Sequence, residues 1–271
     1  MTSRSNRRAG AVVVVVVVVV ATVAVSVTVL RSPSRPVAST CTVSTGPHAP
    51  SYTLAPDQAQ NAAIIAAVGI RKGLPDHAVT VALAAALQES RLKDLTYGDR
   101  DSLGLFQQRP SEGWGTSAQI LDPAFAAGAF FDHLAKVSGW ESVPVTQAAQ
   151  SVQRSAVPDA YAQWESEARA LAVATTGERA AGLTCQLNGF SGSQPASGAL
   201  ASAAAAQLGP HAFATPATSK VGWQTAAWAV AHAYAYHLTS VSYDGRRWTW
   251  DSGTPTWAAA PVTTRVVTSG L

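Results

Sequence analysis

Hydrophobic and polar positions divide the chain into an apolar head, a helically periodic middle and a mixed tail. Residues 10–30 carry no charge and include an unbroken valine run from Val12 to Val20. At ~1.5 Å per residue, such a run reaches across a ~30 Å hydrocarbon core. It reads as one N-terminal transmembrane helix behind a cytoplasmic tail over 1–9. Residues 31–54 are rich in Ser, Thr and Pro without periodicity, the pattern of a stalk. A domain over 55–185 follows. Pro56 and Asp57 open a helix to about Arg71, which Gly73 and Pro75 stop. Asp76 caps a second helix, to about Arg91. The stretch from Asp94 to Pro110 is too polar and glycine-marked for a helix, and Gly113-Trp114-Gly115 continues the loop. Helices are expected again over about 122–137, with Phe125, Ala129, Phe130 and Leu134 on one face. Two more are expected over about 146–154 and 158–174, so the domain is mainly α.

The tail is different. Residues 186–220 are Ser/Ala/Gly/Pro-rich and read as a linker, within which 199–208 can coil into a helix. A small module over 221–271 then combines an amphipathic helix, 223–237, with a β-hairpin turning at Asp244-Gly245, two positions that tolerate positive φ.

Charge changes the picture of partners. The pI of about 9.0 suggests nucleic acid at first sight. Yet Arg4, Arg7, Arg8, Arg31 and Arg35 come before any acid, and without these five the formal +3 becomes −2. The basicity flanks the apolar segment, and no nucleic-acid face is expected. An uncleaved anchor and a removed secretory signal both fit this N-terminus. The first gives a single-pass protein of the cell membrane with its bulk extracytoplasmic, the second a secreted one. Export makes a Cys41–Cys185 disulfide the expected state of the two cysteines, closing the domain's ends. No metal or cofactor is expected: two cysteines without a nearby histidine pair make no usual zinc site. His232 and His237 stand about 140° apart around a helix.

The candidate chemistry centres on Glu89. Positions three, four and seven before it are Ala86, Ala85 and Ala82. Small neighbours let another segment approach and hold the carboxyl in a partly apolar site, which favours its protonated form. A glutamic acid still protonated near neutral pH can donate to a leaving glycosidic oxygen. Ser102 and Gly104 turn the next segment, and Gln107 and Gln108 offer both donors and acceptors to hydroxyl- and acetamido-bearing sugars. Asp99 and Asp101 are candidate bases for orienting a water, although aspartate beside glycine is also ordinary turn chemistry. Trp114, between two glycines, is a candidate sugar-stacking residue.

Glu89-Ser90, the segment Ser102-Leu103-Gly104-Leu105-Phe106-Gln107-Gln108, and Ala148-Ala149-Gln150 followed by Tyr161 resemble the successive motifs of the lysozyme-like lytic transglycosylase superfamily. The likeness spans about residues 60–175. It is closest to an exported actinobacterial branch with the run found here from Gly98 to Pro110. The third motif departs, with Gln150 and Ser151 where that family has tyrosine and asparagine. The resemblance implies a lysozyme-like α+β fold with the glycan strand of peptidoglycan in a groove. It implies Glu89 as the acid that later acts as base, with Ser102, Gln107, Gln108, Gln150 and Tyr161 along the groove. The bond cut would be the β-1,4 link between N-acetylmuramic acid and N-acetylglucosamine. The rival reading is a catalytically silent wall-binding or scaffold protein on the same fold. The tryptophans of the terminal module (Trp223, Trp228, Trp248, Trp250 and Trp257) are either a partner-binding patch or a small core.

Overall fold

The structure, a computed structural model, describes residues 38–46, 48–155, 157–250 and 256–270. The expected tail over 1–9 and apolar segment over 10–30 lie outside the described residues. Among the described residues, no helix is long and apolar enough to cross a membrane.

Two strands come first, β1 (Thr40–Ser44) and β2 (Ser51–Leu54). The end of the expected stalk is therefore sheet. Its alternating burial, with Cys41 and Val43 inward, is the period-two pattern of a half-covered strand. Helices α1 (Pro56–Arg71) and α2 (Asp76–Ser90) follow, within a residue of the boundaries read from their breakers. A long irregular segment leads through the short α3 (Ser117–Ile120) to α4 (Pro123–Leu134) and α5 (Val145–Gln153). The helix expected over 158–174 is two pieces: a 3-10 stretch, Pro158–Trp164, then α6 (Glu165–Thr175). Strand β3 (Leu183–Gln186) pairs antiparallel with β1 and sets Cys41 directly opposite Cys185. The two form a disulfide, as expected.

The chain continues through α7 (Ala199–Leu208), α8 (Ser219–Tyr236) and strands β4 (Leu238–Tyr243), β5 (Arg246–Thr249), β6 (Ala258–Ala259) and β7 (Val267–Gly270). The second sheet runs β6-β5-β4-β7. Its hairpin turns at Asp244 and Gly245, both with positive φ, as the Asp-Gly pair requires. The architecture is thus mainly α with two small antiparallel sheets.

The tail does not stand apart from the preceding helices. Helix α8 packs on α1 and β3, and α7 packs on α1. Trp248 Nε1 donates to the Cys185 carbonyl at 2.8 Å, and Trp257 Nε1 to that of Leu183 at 2.9 Å. One continuous core results. The boundaries drawn at 185 and 220 therefore separate stretches of different composition that share one hydrophobic interior. Four of the five tail tryptophans (Trp223, Trp228, Trp248 and Trp257) are buried, so they are core rather than a docking patch.

Candidate active site

Helix α2 is the axis of the site. Ala82, Ala85 and Ala86 are wholly buried. Their small side chains let α5 and α6 close on α2 from outside. The helix ends after Ser90, where Arg91 and Leu92 take left-handed backbone with φ of 56° and 60°. Glu89 thus sits in the last turn, at the edge of the core, on the wall of an open groove of about 1060 Å³.

The opposite wall is the loop that follows. Leu103 and Gln108 exchange backbone hydrogen bonds of 2.9 and 3.0 Å, closing a tight turn over the four residues between them. Leu105 and Phe106 plug that turn into the core, with Phe106 stacked on Phe130 at 4.8 Å. Gly104 has φ +71°, and a Cβ there would come within 2.6 Å of the Ile120 carbonyl oxygen, so glycine is demanded twice over. The Ser90 hydroxyl reaches the Leu105 carbonyl at 2.8 Å and fixes the loop against the end of α2. The serine after the glutamate is therefore a clamp between the two groove walls.

Burial and two side chains set the state of Glu89. Tyr161, in the 3-10 stretch and fully buried, donates its hydroxyl to Glu89 Oε1 at 2.8 Å. The amide of Gln153, the last residue of α5, also favours the charged carboxylate. Its Nε2 additionally donates to the Phe106 carbonyl at 2.9 Å, tying α5 to the loop. Burial is the strongest influence and pushes the Glu89 carboxyl above the ordinary glutamate range; Tyr161 and then Gln153 pull it partly back. Burial first, and then Glu89 itself, hold the Tyr161 phenol far above its usual range, so it acts as a donor only.

The other expected residues divide. Ser102, Gln107, Gln108 and Trp114 all line the groove. Ser102 Oγ accepts from Arg109 Nε at 3.0 Å. Gln108 donates to the Ala126 carbonyl at 3.0 Å and keeps a buried Oε1 with no partner among the described residues. Gln107 adopts φ +48° and rests against the loop carrying Tyr97 and Gly98. Trp114 lies over the His133 ring, centroids 4.0 Å apart. Asp99 also lines the groove, but it is ion-paired to Arg109 at 2.9 Å. Asp101 is not among the lining residues. It accepts from Ser111 N and Oγ at 2.8 and 2.9 Å, bonds that lower its pKa. Gln150 turns away as well, donating to the Ser155 carbonyl at 2.8 Å to brace the end of α5. Tyr161 is placed behind Glu89 rather than along the groove.

The residue missed from sequence is Gln153. Val145, Ala148, Ala149 and Val152 form the buried stripe of α5, and Gln153 stands beside it at the helix end. A polar side chain at the margin of an apolar stripe was its signal.

Compared with models of protein families and with curated proteins, the chain matches none.

The geometry itself supplies one shielded carboxyl, a phenol donating to it, and a groove lined by amides and an aromatic ring. Such an arrangement can deliver a proton to a bound polar polymer and take one back.

Proposed function

We propose that the protein cleaves the glycan strands of peptidoglycan outside the cytoplasm, at the β-1,4 bond between N-acetylmuramic acid and N-acetylglucosamine, with Glu89 as the sole acid and base. The observation that carries this reading is the Glu89 carboxyl, held by Tyr161 on the wall of a groove and kept inclined to its protonated form by burial. The mainly α architecture, with Glu89 closing one helix and the Gly104 turn facing it, agrees with the lysozyme-like resemblance.

In the proposed reaction Glu89 donates its proton to the glycosidic oxygen as the bond from that oxygen to the muramyl C1 breaks. The resulting carboxylate then accepts a proton from the nucleophile that attacks C1. Asp99 is occupied by Arg109 and Asp101 by Ser111, which favours a nucleophile that needs no second carboxylate. The sugar's own 6-hydroxyl fits, and its attack gives a 1,6-anhydro end. A water would give a reducing end and calls for a second carboxylate to hold it. Gln107 is suited to acetamido and hydroxyl groups, the Oε1 of Gln108 can only accept, and Trp114 is suited to a sugar face.

The test is digestion of purified peptidoglycan by the full chain, with mass spectrometry of the released fragments. Anhydro ends are expected from the wild type and none from Glu89→Gln. Absence of release by the wild type, or equal release by both, defeats the enzymatic reading. Retention on insoluble peptidoglycan without release would instead support the binding or scaffold reading.

A further inference from the structure

Charge along the groove goes beyond what a neutral sugar chain needs. Three cationic side chains line it: Arg109, Lys136 and Arg154. Arg109 is fully engaged, pairing with Asp99 at 2.9 Å and with Glu112 at 2.8 Å. Among the described residues, those two carboxylates are the groove's only acids besides Glu89, which burial inclines toward neutrality. Lys136 and Arg154 have no ion pair and no side-chain hydrogen bond among the described residues. They come from different elements. Lys136 follows α4, three residues after His133, whose ring lies against Trp114. Arg154 caps α5 in left-handed backbone, next to Gln153. Both are exposed, yet both belong to the groove lining.

The groove's other polar side chains, Ser102, Gln107 and Gln108, carry no charge. Two unspent cations in one groove call for anions carried by the strand. We infer that the groove accepts glycan whose muramyl residues still carry carboxylated peptide stems, and that Lys136 and Arg154 pair with those carboxylates. This rests on the murein-cleaving reading and narrows it to peptide-substituted strands over stripped ones.

The experiment measures binding of the full chain, in the Glu89→Gln background to prevent turnover, to two strand preparations. One retains its stems; the other has been stripped of them by an amidase. Both are first freed of phosphate-bearing polymers, so carboxylates are the remaining anions. The stem-bearing strands should bind more tightly. Changing Lys136→Gln and Arg154→Gln together should weaken that binding about fivefold at low salt, the scale of two solvent-exposed charge pairs. Binding of stripped strands should stay unchanged, and high salt should shrink the difference. Equal affinity for both strands, or an equal loss on both in the double variant, overturns this inference alone. Failure to bind either strand overturns it together with the reading beneath it.

Discussion

Replacing Tyr161 by phenylalanine removes one oxygen from behind the acid and little else. The ring is wholly buried, and phenylalanine fills the same volume. What disappears is the 2.8 Å donation to Glu89 Oε1. A hydrogen bond to a charged group contributes about 1.5–3 kcal/mol, against about 0.5–1.5 kcal/mol for one between neutral groups. The loss therefore depends on whether Glu89 is ionised when stability is measured. Burial already raises its folded pKa above the unfolded value, so between the two values the native state binds more protons. Stability then falls as pH rises through that window. Without Tyr161 the ionised form loses a donor and the folded pKa rises further, so the fall becomes steeper.

Denaturant unfolding at pH 3.5 and at pH 8 reads this directly. The variant should lose about 1 kcal/mol at the acidic value, where the carboxyl is protonated in both states, and about 2 kcal/mol at the alkaline one. The alkaline limb of the cleavage profile should move upward, and kcat should fall about tenfold. That is less than the ~10²–10⁴ expected for removing a general acid. Equal destabilisation at both pH values, or a limb that moves downward, would refute the assignment of Tyr161 as the donor that tempers Glu89.

Other perturbations separate the acid from its supports. Glu89→Gln should lower cleavage by ~10²–10⁴-fold. The same variant should unfold at higher denaturant than the wild type at pH 8 and gain nothing at pH 3.5, because the desolvated charge is what it removes. Gln153→Ala should cost about 1–3 kcal/mol by freeing the Phe106 carbonyl, and should reduce kcat more than it raises KM. Gly104→Ala should cost about 2–3 kcal/mol, from left-handed backbone strain and the contact with Ile120, visible as a lower midpoint in thermal unfolding. Removing the disulfide, which spans 144 residues, should cost about 5 kcal/mol by loop-closure entropy, read by comparing oxidised and reduced protein in denaturant.

Which parts of this molecule are legible in its sequence follows from the range of the forces involved. Helices α1 and α2 end at Gly73, Pro75 and the left-handed Arg91, local signals that act within one turn. The Asp244-Gly245 hairpin is equally local. The pairing of β1 with β3 is not: no short turn joins these two strands, and the cysteines that face each other across them stand 144 residues apart in the chain. The tail's packing is long-range too. A serine- and alanine-rich stretch looks like a linker by composition, yet the tryptophans after it find carbonyl acceptors on β3, and burying those rings decides the matter.

The same distinction runs through the site. Glu89 is recognisable because its alanine neighbours lie on its own helix. Asp99 and Asp101 carry the right chemistry, but Arg109 and Ser111, ten residues away, claim them. Gln150 and Gln153 sit one turn apart on α5, and only the curvature of the chain after α5 decides that the first braces Ser155 while the second meets Glu89. Composition offers no way to choose between two glutamines. An acid kept from water has to be held by donors from other elements, here the 3-10 stretch and the end of α5. Those supports are therefore the part of the site that residue spacing along α2 leaves invisible.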